Sequence, residues 1–156
     1  MTPLGSNLVD LHPYVALDRV VFLQEGLNKE QALQRLATTT AAHPDVRDAA
    51  AFATAITERE RVSSTGIGGG IAVPHAKIAS VYGFVISFGI SHSGLAYQAK
   101  DDRPVHILVM IAASDQERDT YLKVLATVAS RLKQPQLVDQ LLTASGPAEV
   151  LAAFVD

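Results

Sequence analysis

The chain has 156 residues, 48% hydrophobic and 19% charged, with a formal net charge of -3, the balance of one compact domain with an ordinary interior. It contains no cysteine, so disulfide scaffolds, cysteine-based zinc sites, iron-sulfur clusters and thiol nucleophiles are excluded. Its thirteen Lys and Arg are scattered rather than striped, which argues against nucleic acid, and its longest apolar stretches are only strand-length, which argues against membrane insertion.

Met1 to Asp18 carries no Lys or Arg ahead of an apolar run and does not read as a signal peptide, so a cytoplasmic location is expected. Arg19 to Leu23 reads as a short strand. Asn28 stands three residues before Gln31, a capping box opening a helix in which Leu33, Leu36 and Ala37 share a face and which ends at His43-Pro44. A second, Ala-rich helix is expected from about Asp45 to Glu58, with Val46, Ala49, Ala50, Phe52, Ala53 and Ile56 inward.

Between Ser63 and Gly70 the periodicity vanishes: two serines, a threonine and four glycines predict a loop. Val81 to Ser91 and Pro104 to Ala113 read as strands, the second apolar at nearly every position as if covered on both faces. Ser114 with Glu117 suggests a second capping box, opening a helix with Tyr121, Leu122, Leu125, Val128, Ala129 and Leu132 at the 3.6-residue spacing. Pro135 and Pro147 each precede or start a further short helix. The expected fold is α/β: a single domain over residues 1–156, with its core from about 8 to 155 and a small mixed β-sheet flanked by helices on both sides.

The stretch Thr65-Gly66-Ile67-Gly68-Gly69-Gly70-Ile71-Ala72-Val73-Pro74-His75 carries the chemistry. As a dinucleotide fingerprint it fails, because Ile71 stands where glycine or alanine is required and no hydrophobic strand leads into it; as a P-loop it fails for want of a Gly-Lys-Ser/Thr run. What survives is a glycine-rich loop beside a histidine positioned by Pro74, open to close approach by another molecule. A neutral imidazole is a nucleophile at physiological pH. Phosphoryl transfer to it needs one free ring nitrogen, a partner for the other ring N–H, and positive or N–H groups for the oxygens. Arg59, at the expected end of the second helix, is a candidate phosphate clamp. The Ser64 and Thr65 hydroxyls could donate to the same oxygens or fix the ring.

Arg59-Glu60, Ser64-Thr65-Gly66-Ile67-Gly68 and Gly70-Ile71-Ala72-Val73-Pro74-His75 resemble the active-site signature of EIIA domains of the bacterial phosphotransferase system, fructose/mannitol type. Asp101, Asp102, Pro104 and Val105, and Leu122-Lys123-Val124-Leu125-Ala126, extend the resemblance over roughly residues 8 to 155. The absence of a permease or EIIB segment makes the chain look most like the stand-alone nitrogen-regulatory EIIA branch.

The resemblance implies a phosphotransferase component. His75 would accept a phosphoryl group from the phosphohistidine of an HPr-like carrier, ultimately from phosphoenolpyruvate, with Arg59 steadying it and with no cofactor or metal. Many members of the family carry a second histidine where this chain has Tyr121, which keeps an O–H donor but cannot become cationic. The alternative function is a regulatory binding module acting by protein contact, with phosphorylation weak or lost.

Several residues carry a second reading. Thr65 reads equally as a turn-stabilising hydroxyl, Arg59 as a helix-end cation and Tyr121 as a core residue of its helix. His106, inside the apolar strand, reads as a satisfied core histidine. The spacings of His12, His43 and His92 make no metal set.

Overall fold

A computed structural model describes residues 8–155; the first seven residues of the Met1–Asp18 segment, and Asp156, lie outside that range. Two short 3-10 turns, His12–Tyr14 and Leu17–Arg19, lead into strand β1 (Val20–Phe22). Helix α1 (Lys29–Ala41) opens on the expected capping box: the Asn28 side chain accepts from Gln31 N at 2.8 Å and the Gln31 side chain accepts from Asn28 N at 2.9 Å. Such a cap contributes about 1 kcal/mol. Helix α2 (Ala49–Val62) starts later than expected, at an Asp48 cap, because Val46 is extended and bridges Val81. Ala49 and Ala50 are consequently exposed, and Phe52 and Ile56 carry the buried face.

The glycine-rich segment is not a bare loop. It folds into β2 (Gly66–Gly68) and β3 (Ile71–Ala72), an antiparallel pair whose turn, Gly68 to Gly70, has φ values of 96°, 68° and 83°. Three consecutive left-handed residues are strained for any side chain with a Cβ, which is why glycine fills all three positions. Strands β4 (His75–Ile78), β5 (Phe84–Leu95) and β6 (Val105–Ser114) follow, then helices α3 (Arg118–Leu132), α4 (Leu137–Thr143) and α5 (Pro147–Val155). The second capping box does not form. Ser114 is the last residue of β6, its hydroxyl accepts from Gln116 N, and Glu117 stands at the N-cap with no side-chain cap bond.

The sheet runs β1-β5-β6-β3-β2, with β4 also paired to β6. β5 and β6 are antiparallel, whereas β1 runs parallel to β5 and β3 and β4 run parallel to β6, giving a mixed sheet. Alternation along the central strands sends side chains to two cores. Val85, Leu108, Met110 and Ala112 pack with Leu33, Leu36, Phe52 and Ile56 of α1 and α2. Ile86, Phe88, Ile107, Val109 and Ile111 pack with Val124, Val128, Leu141, Val150 and Phe154 of α3, α4 and α5. Helices therefore cover both faces, which explains the unbroken apolar run of β6. On α3 the buried stripe is Val124, Thr127, Val128 and Leu132, with Tyr121 and Leu125 at its edge; Leu122 and Ala129 face outward. No helix among the described residues is long and apolar enough to cross a membrane.

Candidate functional site

β3 and β4 are two pieces of one strand on the edge of β6. Ala72 pairs with Leu108 and His75 with Ile111, so the same three-residue step separates both members, and the register is kept across Val73-Pro74. Pro74 has no N–H to offer, and the ladder resumes through Ile111 N, which donates to the Pro74 carbonyl at 3.0 Å. His75 is the first residue after this interruption, half-buried, on the same face of the sheet as Ile111 and α3.

The His75 Nδ1 lies 2.7 Å from the Val73 carbonyl oxygen. A carbonyl only accepts, so Nδ1 carries the proton and Nε2 keeps its lone pair. Burial holds the His75 pKa below its ordinary value of 6.5; the Val73 carbonyl and Glu60 oppose this shift, and the Arg59 charge reinforces it. The ring is therefore neutral at physiological pH, the state a nucleophilic imidazole needs.

Arg59, in the last turn of α2, is close enough for its charge to act on both the His75 ring and the Tyr121 phenol. Its Nη1 donates to the Ser63 carbonyl at 2.8 Å, a bond that finishes the helix. Tyr121, in the first turn of α3, is half-buried, and burial raises its pKa while Arg59 lowers it; its hydroxyl makes no hydrogen bond to the His75 ring. Lys77, two residues beyond His75 on the same face, holds its Nζ 4.9 Å from the centre of the Tyr121 ring. The structure thus gathers His75, Arg59, Lys77 and Tyr121. Lys77 was not singled out from sequence; alternation from His75 along an extended segment is the signal that would have found it.

The other two candidate hydroxyls point elsewhere. Thr65 Oγ1 donates to Glu60 Oε1 at 2.6 Å and lies 3.0 Å from the Tyr97 hydroxyl; Ser64 Oγ donates to the Tyr97 carbonyl at 3.4 Å and accepts from Gly66 N at 3.1 Å. Glu60, whose side chain is only 7% exposed, also accepts from Thr65 N at 2.8 Å and from the Tyr97 hydroxyl at 3.2 Å, and pairs with Lys29 Nζ at 2.9 Å. Burial alone would raise the Glu60 carboxyl, but the Thr65 hydroxyl, Lys29 and the Thr65 amide outweigh it and hold the pKa below the usual value. Sequence reading noted Glu60 only as a neighbour of Arg59, because its partners lie 5, 31 and 37 positions away.

His106 is half-buried, with Nδ1 2.9 Å from the Ser91 carbonyl and its ring against Gly94 and Gly70. A cleft of about 510 Å³ opens between α1 and α2, and Lys29 and Glu60 are among its walls but His75 is not. The half-buried imidazole stands instead outside that cleft, on the strand that flanks β6.

The family model for "Phosphoenolpyruvate-dependent sugar phosphotransferase system, EIIA 2" matches residues 14–156. The fructose-specific EIIABC component of Bacillus subtilis is 37% identical over 127 residues, 81% of this chain but only 20% of that protein, so the chain spans about a fifth of that relative. The fructose-specific EIIA component of Haloferax volcanii is 30% identical over 155 residues, 96% of this chain and 99% of that one. Among solved structures, the nitrogen regulatory protein IIA-Ntr of Neisseria meningitidis shares the fold, with a TM-score of 0.84 at 23% identity over 91% of this chain and 97% of that one. With the signature histidine on a broken edge strand and a family match that runs almost end to end, this chain belongs to the EIIA 2 family of the phosphoenolpyruvate-dependent sugar phosphotransferase system.

Proposed function

We propose that the protein is a phosphocarrier of the nitrogen-regulatory kind, acting in the cytoplasm, in which His75 Nε2 accepts a phosphoryl group from the phosphohistidine of an HPr-like protein. The relay begins with phosphoenolpyruvate, and the phosphorylation state regulates protein partners. The observation that carries this reading is the 2.7 Å bond from His75 Nδ1–H to Val73, which leaves Nε2 as the free nucleophile.

In the transfer, the phosphorus–nitrogen bond of the carrier breaks and its electron pair returns to the carrier's ring, while the Nε2 lone pair forms the new bond. His75 keeps its Nδ1 proton on Val73 throughout. Arg59, exchanging the Ser63 carbonyl for phosphoryl oxygens, and Lys77 supply positive charge. The phosphoryl group brings roughly two negative charges and the ring, keeping its Nδ1 proton, becomes cationic, so the product gains about one net negative charge and three acceptor oxygens, enough to favour or block a docking protein.

The test is incubation with phosphoenolpyruvate and the general carrier proteins, followed by intact mass. One phosphoryl group should be gained, lost in mild acid and retained in alkali, and absent from His75→Ala. No uptake, or an acid-stable phosphate, refutes the reading.

A further inference from the structure

An unbroken chain of hydrogen bonds runs from a buried carboxylate to the His75 ring. Glu60 accepts the Thr65 N–H at 2.8 Å and the Thr65 hydroxyl at 2.6 Å. The Thr65 carbonyl accepts the Val73 N–H at 3.0 Å, and the Val73 carbonyl accepts the His75 Nδ1–H at 2.7 Å. We infer that Glu60 is a positioning residue for His75, holding Thr65 and, through the Thr65–Val73 bond, the carbonyl that decides which ring nitrogen is free. The inference rests on the reading of His75 as phosphoryl acceptor.

The surrounding chain explains why the anchor is needed. The hairpin between Thr65 and Val73 turns through three glycines, which add no side-chain packing of their own, and its tip is tied to the rest of the chain by Gly69 N, which donates to Asp101 Oδ2 at 3.0 Å. Pro74 lacks the N–H that would tie the interruption to a neighbouring strand. The Val73 carbonyl is placed from one side by the bond to Thr65 and from the other by the β6 ladder, which resumes at the Pro74 carbonyl. Thr65 is itself gripped at two points by one carboxylate.

The carboxylate is held in turn from three elements. Lys29, the first residue of α1, pairs with it at 2.9 Å, donates to the Tyr97 carbonyl at 3.1 Å and lies 4.2 Å from the centre of the Tyr97 ring. Burial pushes the Tyr97 phenol upward, so it remains a neutral donor to Glu60. Charge-assisted bonds to a carboxylate are roughly twice as strong as neutral ones. A glutamine in its place has one acceptor oxygen where two are used, and it leaves Lys29 without its counter-charge.

The experiment reads the ring directly. In protein labelled with nitrogen-15 at histidine, long-range correlation spectra above the titration range report which nitrogen carries the proton, and uptake kinetics are followed on the same variants. The Nδ1–H tautomer should dominate in the native chain. In Glu60→Gln and Thr65→Val the ratio of the Nδ1–H to the Nε2–H form should fall by roughly tenfold, the scale that one lost hydrogen bond permits, and kcat should fall in proportion to the Nδ1–H fraction lost, with KM for the phosphorylated carrier unchanged. Thr65→Ser, which restores the hydroxyl, should bring the ratio back from its Thr65→Val value.

If Glu60→Gln does not fold, Thr65→Val decides. A folded variant of either kind with the native tautomer ratio and native kcat overturns the inference. The tautomer measurement needs no phosphoryl donor, so it stands even where the native protein takes up no phosphate and the functional reading alone fails.

Discussion

His75 donates its Nδ1 proton to the carbonyl of Val73, two residues earlier on the same interrupted strand, at 2.7 Å. The partner that orients the ring is therefore local backbone rather than a distant acidic side chain, and a charge balance around the ring is left to Arg59 and Glu60, which act on it with opposite signs.

That balance gives a pH prediction. The His75 midpoint should lie below 6.5, chiefly because burial disfavours the charged ring. Arg59→Ala removes a cation that opposes protonation and should move the midpoint up; Glu60→Gln removes an anion that favours it and should move the midpoint down. For stability, a folded-state value below the unfolded one means that the unfolded chain binds the proton first as pH falls. His75 should therefore cost stability progressively below about pH 6.5, until the folded ring also protonates. Histidine NMR titration of the three proteins checks the signs, and shifts in the same direction for both variants would contradict the geometry.

Arg59→Lys should lose much of the rate of phosphoryl uptake while keeping the fold. Lysine offers a point charge where the planar guanidinium grips two oxygens, and it also gives up the bond that finishes α2 at Ser63. Quenched-flow uptake, compared with thermal unfolding of the same variant, separates the two effects. Equal uptake rates for arginine and lysine would make Arg59 a helix-end cation only.

Tyr121→His should raise the uptake rate or lengthen the lifetime of the phosphohistidine, most clearly below about pH 6.5, where an imidazole becomes charged and can donate a charge-assisted bond. In the present structure the Tyr121 ring lies against Lys77 Nζ and its pKa is raised by burial, so it contributes shape and a neutral O–H rather than charge. Phosphohistidine decay followed by phosphorus NMR in both proteins gives the comparison. Identical decay at acid pH would confine Tyr121 to the edge of the α3 core.

Gly66→Ala should destabilise the fold by about 1–3 kcal/mol, as overpacked sites do. A Cβ at Gly66 would stand 2.7 Å from Ala99 Cβ and 2.8 Å from Ala99 Cα, so the backbone itself must move. Because Gly66 adjoins Thr65, uptake should fall as well. Urea unfolding sets the first quantity, and an unchanged midpoint would mean that the Tyr97-to-Ala99 segment yields easily.

Stability should also fall in acid through Glu60. Its folded-state pKa is depressed below 4.5, so the stability it contributes is fully present above that value and is lost as pH falls through the lower folded-state one. In Glu60→Gln this part of the acid dependence should be absent. Unfolding midpoints between pH 6 and pH 3 measure it, and parallel curves for the two proteins would show that the carboxylate is not differentially stabilised on folding.

The α1 capping box was legible in the sequence because its two partners sit three residues apart and need nothing else. So was the doubly covered β6, whose apolar run follows from helices on both faces, whereas the glycine-rich segment read as a loop and folds into a hairpin whose turn needs glycine at positions 68 to 70. The Ser114-Glu117 pair has the same local spacing and forms no cap, because the β4–β6 ladder claims Ser114 as strand, opposite Ile78, and local preference yields to it.

Only the tertiary structure decided that β3 and β4 share the edge of β6, since a two-residue strand has too short a period to register in sequence and is extended only because Leu108 and Ile111 lie beside it. The same holds for Glu60. Its carboxylate is kept ionised in a nearly closed site by Lys29 from the start of α1, Thr65 from the foot of the hairpin and Tyr97 from beyond β5, groups that chain closure alone brings within hydrogen-bonding distance.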